Sequence, residues 1–119
     1  MLVSYYSLTG NIQKFLEKSS AKNILPIITG QEIINENSIL ITSSIAFGEC
    51  PPPVWQFTKN NHKFIKGLVG SGNKNWGSLY CGAVKMLSTE YSIPILLQFE
   101  LTGDIEDLVQ FNKIVASSL

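Results

Sequence analysis

The sequence predicts an α/β fold in three layers: a five-stranded parallel sheet in the order 2-1-3-4-5, covered by helices on both faces. Three observations predict it. Apolar, strand-like runs alternate along the chain with stretches of helical period. One run, Ile39-Leu40-Ile41, is apolar at successive positions, as a strand buried on both faces requires. The segments rich in glycine and hydroxyls follow the first, third and fourth runs, where the carboxyl-edge loops of such a sheet lie. Right-handed crossovers between parallel strands then make 2-1-3-4-5 the expected order. At 119 residues the chain has room for one core, so residues 1-119 are read as a single domain.

Taken in order, Leu2 to Tyr6 reads as the first strand, and Ile12, Phe15 and Leu16 follow at helical spacing with Asn11 as the expected cap. Ile24 to Ile28 fits a second strand. The polar stretch from Thr29 and Gly30 to Asn37 shows no clear helix. Ser38 to Thr42 is the central strand. Ser43 to Pro53, with Gly48 and three successive prolines, must be a loop, and a helix starts near Pro53 or Val54. Ile65 to Ser71 is the fourth strand, followed by a loop from Gly72 to Gly77 and a helix from about Leu79 to Tyr91. Ile93 to Glu100 is the fifth. Asp104 and the spacing of Ile105, Leu108, Phe111 and Val115 announce the last helix, with acids in its first turn to complement the dipole.

Composition excludes several classes. Nine lysines balance nine acids and arginine is absent, which argues against a nucleic-acid binder held by phosphate contacts. No apolar run reaches the ~18 residues of a membrane span. The opening Leu2-Val3-Ser4-Tyr5-Tyr6 lacks the basic start and cleavage site of a signal peptide, so a cytoplasmic protein is expected. Cys50 and Cys81 have no metal-ligand spacing and are expected to be free thiols, Cys81 on the apolar face of a helix; His62 has no partner at ligand spacing and is expected at the surface. No structural metal is expected. Charge is uneven: Lys59, Lys63, Lys66, Lys74 and Lys85 face only Glu49 between Thr42 and Lys85, whereas five acids face only Lys113 from Met86 onward.

Ser7, Leu8, Thr9, Gly10 and Asn11 stand between the first strand and first helix. Backbone N–H groups and the positive helix end can bind an anion there without a basic side chain. With no Gly-Lys-Ser/Thr following, a P-loop hydrolase is excluded. The plainer alternative is an ordinary turn with a helix cap.

Ser-x-Thr-Gly-Asn after an N-terminal strand resembles the FMN-phosphate loop of flavodoxins. Gly72-Asn73-Lys74-Asn75-Trp76-Gly77, preceded by Gly67-Leu68-Val69-Gly70-Ser71, resembles the Gly-Asn-Arg/Lys-Asn-aromatic-Gly signature of the NrdI family. Pro94, Phe99-Glu100-Leu101-Thr102-Gly103 and Glu106-Asp107 match that family's closing segment. The likeness runs in register over nearly the whole chain. It departs at Cys50-Pro51-Pro52-Pro53, where many members have a single proline, and at Asp104, where Thr or Ser is frequent.

The resemblance implies a flavodoxin-like three-layer sandwich with FMN as cofactor. Ser7, Leu8, Thr9, Gly10 and Asn11 would hold its phosphate, Thr42, Ser43 and Ser44 its ribityl or ring oxygens, and Gly72 and Asn73 its pyrimidine edge, with Gly77 closing the signature. Trp76 is the first choice for stacking on the ring, ahead of a place in the core, and Phe47 is a weaker one; Trp55 is expected to pack its helix against the sheet. Gly48 falls beside flavin N5, where its peptide can reverse, although a simple turn glycine fits the same sequence.

Lys63, Lys66 and Lys74 are expected near the cofactor, favouring the anionic reduced form and attracting superoxide. In the NrdI family reduced FMN reacts with O2, and the oxidant passes through a channel to the dimanganese site of the class Ib ribonucleotide reductase small subunit, helping to form its tyrosyl radical. The implied partners are that subunit, O2 and a flavodoxin-reductase-type electron donor, with no nucleic acid and no membrane. The alternative is a general one-electron-transfer flavodoxin. A receiver domain fits poorly, since Ser7 and Thr42-Ser43-Ser44 stand where it needs acids.

Overall fold

The computed structural model describes residues 1–45 and 48–117. Its elements are β1 (Leu2–Tyr6), α1 (Asn11–Lys18), β2 (Ile24–Pro26), β3 (Ser38–Ser43), α2 (Pro52–Asn61), β4 (Ile65–Gly72), a 3₁₀ turn (Lys74–Leu79), α3 (Gly82–Tyr91), β5 (Ile95–Glu100) and α4 (Ile105–Ala116). The five strands form one sheet, all pairs parallel, in the predicted order β2-β1-β3-β4-β5.

Alternation along the strands divides the core in two. Val3, Ile39, Ile41, Val69 and Phe99 meet Ile12, Phe15 and Leu16 of α1 and Phe111 of α4. On the other face Leu2, Leu40 and Leu68 meet Val54 and Phe57 of α2 and Val84 and Leu87 of α3. Phe15 stacks on Phe99 with centroids 4.2 Å apart and meets Phe111 edge-on at 5.1 Å. Each such side chain contributes about 1.5–3 kcal/mol by leaving water, so the two layers hold the strand ends, and the loops beyond them, in fixed register.

Several boundaries differ from expectation for local reasons. β2 stops at Pro26 rather than Ile28. Ile27 still donates to Tyr5 O at 2.7 Å, but the Glu32 carboxylate then takes the N–H groups of Ile28 and Thr29 at 3.0 Å and of Gly30 at 2.9 Å, turning the chain out of the ladder. Chain 30–37 has no helix, and buried Asn61 of α2 pins it by accepting from Ile34 N and donating to Glu32 O. β5 begins at Ile95, with Pro94 still accepting from Leu68 N at 2.9 Å. α2 starts at Pro52, with prolines at its first two positions where their missing N–H groups cost little.

The segment read as one helix from Leu79 is a 3₁₀ turn and a separate helix. Gly77 (φ 57°, ψ −123°) breaks the first, and Cys81 in the left-handed region (φ 53°) precedes the second. Cys81 is thus buried at the start of α3 rather than on its apolar face. Asn11 is not the cap of α1: Gly10, left-handed at φ 86°, occupies that position, and Asn11 is the first helical residue. Trp55 is partly buried on the second core and tilts against Tyr91 of α3 at 5.8 Å. Exposed His62 stacks on the same tyrosine at 5.2 Å.

Candidate flavin site

Between β1 and β3 the strand order reverses direction, and the connections from these neighbours leave on opposite faces, opening a crevice at the carboxyl edge. A cleft of about 130 Å³ lies there. Leu8, Thr9 and Asn11 come from the β1–α1 connection, Ser43 and Ser44 from the end of β3, Ser71, Gly72 and Asn73 from the end of β4, Trp76, Leu79 and Cys81 from the segment before α3, and Leu101 from the turn after β5. A larger groove of about 450 Å³ runs beside Tyr5, Gln13 and Glu17, but it lies along α1 and the sheet edge, away from the strand ends. Convergence of loops and polar groups therefore selects the smaller one.

The β1–α1 connection keeps donors available. α1 begins with no side-chain cap, so the first-turn N–H groups remain for a ligand, except that Gln13 N reaches Ser7 Oγ at 3.4 Å. Ser7 thus turns toward the helix and does not line the cleft. Gly10 has open space where a Cβ would project. This arrangement suits an anion bound by backbone N–H groups and the helix dipole.

Four hydroxyls from the ends of β3 and β4 have distinct fates. Thr42 Oγ1 donates to Ser43 O at 2.8 Å and lies below the cleft rather than in its wall. Ser44 Oγ accepts the Ala83 N–H at 2.9 Å, leaving its own proton to donate. Ser43 Oγ is buried and finds no hydrogen-bond partner among the described residues. A buried hydroxyl without a partner costs about 1–3 kcal/mol, a cost that a polar ligand at this wall removes. Register pairs Ser43 with Ser71, whose hydroxyl donates to Leu101 O at 2.7 Å and ties the β5 turn to the site.

The segment after β4 is fixed by its own polar groups. Asn73 Oδ1 accepts from Asn75 N at 2.9 Å, Trp76 N donates to Asn73 O at 3.1 Å, and Lys74 N donates to Glu100 Oε2 at 2.9 Å. The result places Trp76, 39% exposed, at the cleft wall beside Leu79 (43%), Leu8 (54%) and Leu101 (48%). Gly77 serves the kink and stands outside the wall. Gly48 (φ 86°) is buried against Leu79 and Gly82, not in the cleft wall. Phe47 lies outside the described residues.

Four wall residues were not singled out in the sequence: Ser71, Leu79, Cys81 and Leu101. Ser71 was accessible through its register with Ser43. Leu101 stands in the closing motif, but its place in the wall depends on a left-handed turn (φ 54°) after β5.

Charge and thiols shape what the cleft can do. Burial pushes the Cys81 thiol up to about 11 and the Cys50 thiol up to about 12, so neither is a thiolate near neutrality. The lysine expectation fails in part. Lys66 is the second residue of β4 and its Nζ donates to Lys63 O at 2.9 Å, so both stand at the amino end of the strand whose carboxyl end forms the site. Six residues of strand separate Lys66 from Gly72, roughly 20 Å at ~3.3 Å per residue, beyond the ~8 Å Debye length. Lys74 alone of the three is local. Asp104, on the next turn, is held below its ordinary value by the Asp107 N–H, with Lys74 adding a smaller effect.

These features fit FMN: free first-turn N–H groups for a phosphate, an unpartnered Ser43 hydroxyl for a polar edge, and an apolar wall with an exposed Trp. Among the described residues no group of three or more His, Cys, Asp or Glu side chains is placed to hold a metal ion. Among the described residues no helix is long and apolar enough to cross a membrane.

The chain is similar in fold to a solved short-chain flavodoxin associated with a bacterial microcompartment, at a TM-score of 0.64 and 15% identity, covering 94% of this chain and 90% of that one. The family model described as NrdI flavodoxin-like matches residues 3–113. This match spans all five strands and every described wall of the cleft, and the chain belongs to the NrdI flavodoxin-like family.

Proposed function

We propose that this chain binds FMN in the carboxyl-edge cleft and acts as an NrdI-type redox protein, supplying superoxide for assembly of the dimanganese-tyrosyl radical in the small subunit of a class Ib ribonucleotide reductase. The observation that carries the flavin half is Ser43 Oγ, a buried hydroxyl at the end of the central strand with no partner among the described residues. Family membership supports the reductase half. When bound, FMN supplies the electron chemistry, and one electron passed to O2 gives superoxide.

The chain's own residues bind and orient. First-turn N–H groups around Thr9, Gly10 and Asn11 receive the phosphate, Ser43 and Ser44 offer hydroxyl protons, and Gly72 and Asn73 border the polar edge. Trp76 covers the ring, and Leu79 and Leu101 keep water from it. A flavodoxin-reductase-type protein is the electron donor in this reading, and the working compartment is the cytoplasm.

One observation favours a second reading, a general one-electron flavodoxin. Glu100 stands at the cleft rim while Lys63 and Lys66 are remote, which weakens the case for a site tuned to an anionic oxidant. Anaerobic reduction of the FMN-loaded protein, then air with a superoxide probe and the manganese-loaded small subunit, separates the two. Prompt superoxide and a tyrosyl radical in the subunit are expected. Slow reoxidation without radical would favour the electron carrier, and absence of FMN binding would end both readings.

A further inference from the structure

The turn that ends β5 places a leucine where turn chemistry calls for another residue type. Gly103 N donates to Glu100 O at 2.9 Å, closing a β-turn over residues 100–103, and its first central residue, Leu101, has φ 54°. Positive φ at that position belongs to the primed turns, in which Gly, Asn and Asp dominate because other side chains crowd their own backbone there. Core packing does not account for the leucine, which is about half exposed and stands in neither core cluster. It borders the cleft instead. Three hydrogen bonds fasten this turn to the end of β4 and the residues after it: Leu101 N donates to Gly72 O at 3.0 Å, Ser71 Oγ donates to Leu101 O at 2.7 Å, and Glu100 Oε2 accepts Lys74 N at 2.9 Å. Both backbone polar groups of Leu101 are therefore held. Strain of this kind persists only where the surroundings over-determine it, and it gathers at ligand sites.

We infer, resting on the FMN reading, that Leu101 is kept at positive φ to set an apolar side chain against the bound flavin ring, and that Ser71 is the positioning residue that holds it there. Ser71 is buried and borders the cleft, yet its proton goes to the Leu101 carbonyl and is not offered to a ligand. It acts on the cofactor through Leu101. Glycine at position 101 would make the same turn without strain and without help from Ser71. It would also leave that part of the wall open to water, and the leucine closes it.

FMN titrations of wild type, Ser71→Ala, Leu101→Gly and the double variant test this, with the thermal midpoint of each apoprotein and the absorption of the bound flavin read alongside. Leu101→Gly is expected to weaken FMN about tenfold by removing a leucine side chain from the wall. It should also move the bound flavin's absorption toward that of free flavin and leave the apoprotein's midpoint no lower, since glycine relieves the positive φ. Ser71→Ala is expected to weaken FMN about fivefold by itself. Added to Leu101→Gly it should cost less than about twofold more, because the residue it acts through is gone. Equal weakening by Ser71→Ala in both backgrounds, unchanged FMN affinity in Leu101→Gly, or a lower midpoint in Leu101→Gly overturns the inference and leaves the FMN reading intact. Should Ser71→Ala alone not fold, the double variant decides: if it folds, Ser71 acts through Leu101, and if it does not, Ser71 serves the fold as a whole and the inference falls. A wild type that takes up no FMN ends the FMN reading itself, and the inference with it.

Discussion

Single side chains in this molecule do work that their residue type does not announce. Asn61 is buried and satisfied three times over, accepting from Ile34 N and donating to Glu32 O and Phe57 O at 2.8 to 2.9 Å. Asn61→Ala removes the partner of the buried Ile34 N–H and of the half-buried Glu32 carbonyl, while Phe57 O keeps its place in the helix ladder. It is expected to cost about 2–3 kcal/mol, read as a lower urea midpoint at unchanged m-value. Trp76 works at the surface instead. If it stacks on the flavin, Trp76→Ala should weaken FMN about tenfold, ~1.4 kcal/mol, and shift the bound flavin's spectrum; an unchanged titration would move the stacking role to another wall residue. Ser43 and Ser44 are neighbours with opposite situations, one hydroxyl unpartnered among the described residues and the other bonded to α3, a difference no sequence pattern carries.

At the scale of elements, the end of β2 is set by a carboxylate. Burial alone would raise Glu32, but N–H groups of Thr29, Ile28, its own residue and Gly30 hold it at about 2, against 4.5 for the free group. Since the folded value is the lower one, the clasp stabilises the protein fully above about pH 4.5 and is lost as pH falls toward 2. The side chain is largely exposed, so solvent screening keeps the effect small. Between pH 5 and 2 the thermal midpoint of wild type should fall more steeply than that of Glu32→Gln, and parallel curves would show that the clasp contributes nothing.

The five strands and four helices were legible because each has a clear period and two buried faces demand it. Ile39-Leu40-Ile41 and the spacing of Ile105, Leu108 and Phe111 are the plainest cases. The glycine and hydroxyl loops marked the cleft's position for the same reason. What was not legible depends on contacts distant in sequence: Glu32 ending β2, Cys81 separating the 3₁₀ turn from α3, and Leu101 turning into the cleft.

At the scale of the whole molecule, a linear excess of lysine did not become a basic site. Lys59, Lys63 and Lys66 gather where α2 ends and β4 begins, and only the later lysines approach the carboxyl edge. Lys63→Ala with Lys66→Ala is therefore expected to leave FMN affinity within about twofold and the rate of reoxidation by air unchanged, because the charges lie beyond the ~8 Å screening length. A clear fall in either would restore them to the site.

FMN binding is the claim on which the functional account stands, and an equilibrium titration of the apoprotein with FMN, followed by flavin fluorescence, tests it most directly. Saturable one-to-one binding with quenched fluorescence, weakened by Trp76→Ala, is expected. Flavin that remains free and fully fluorescent at every protein concentration would contradict it.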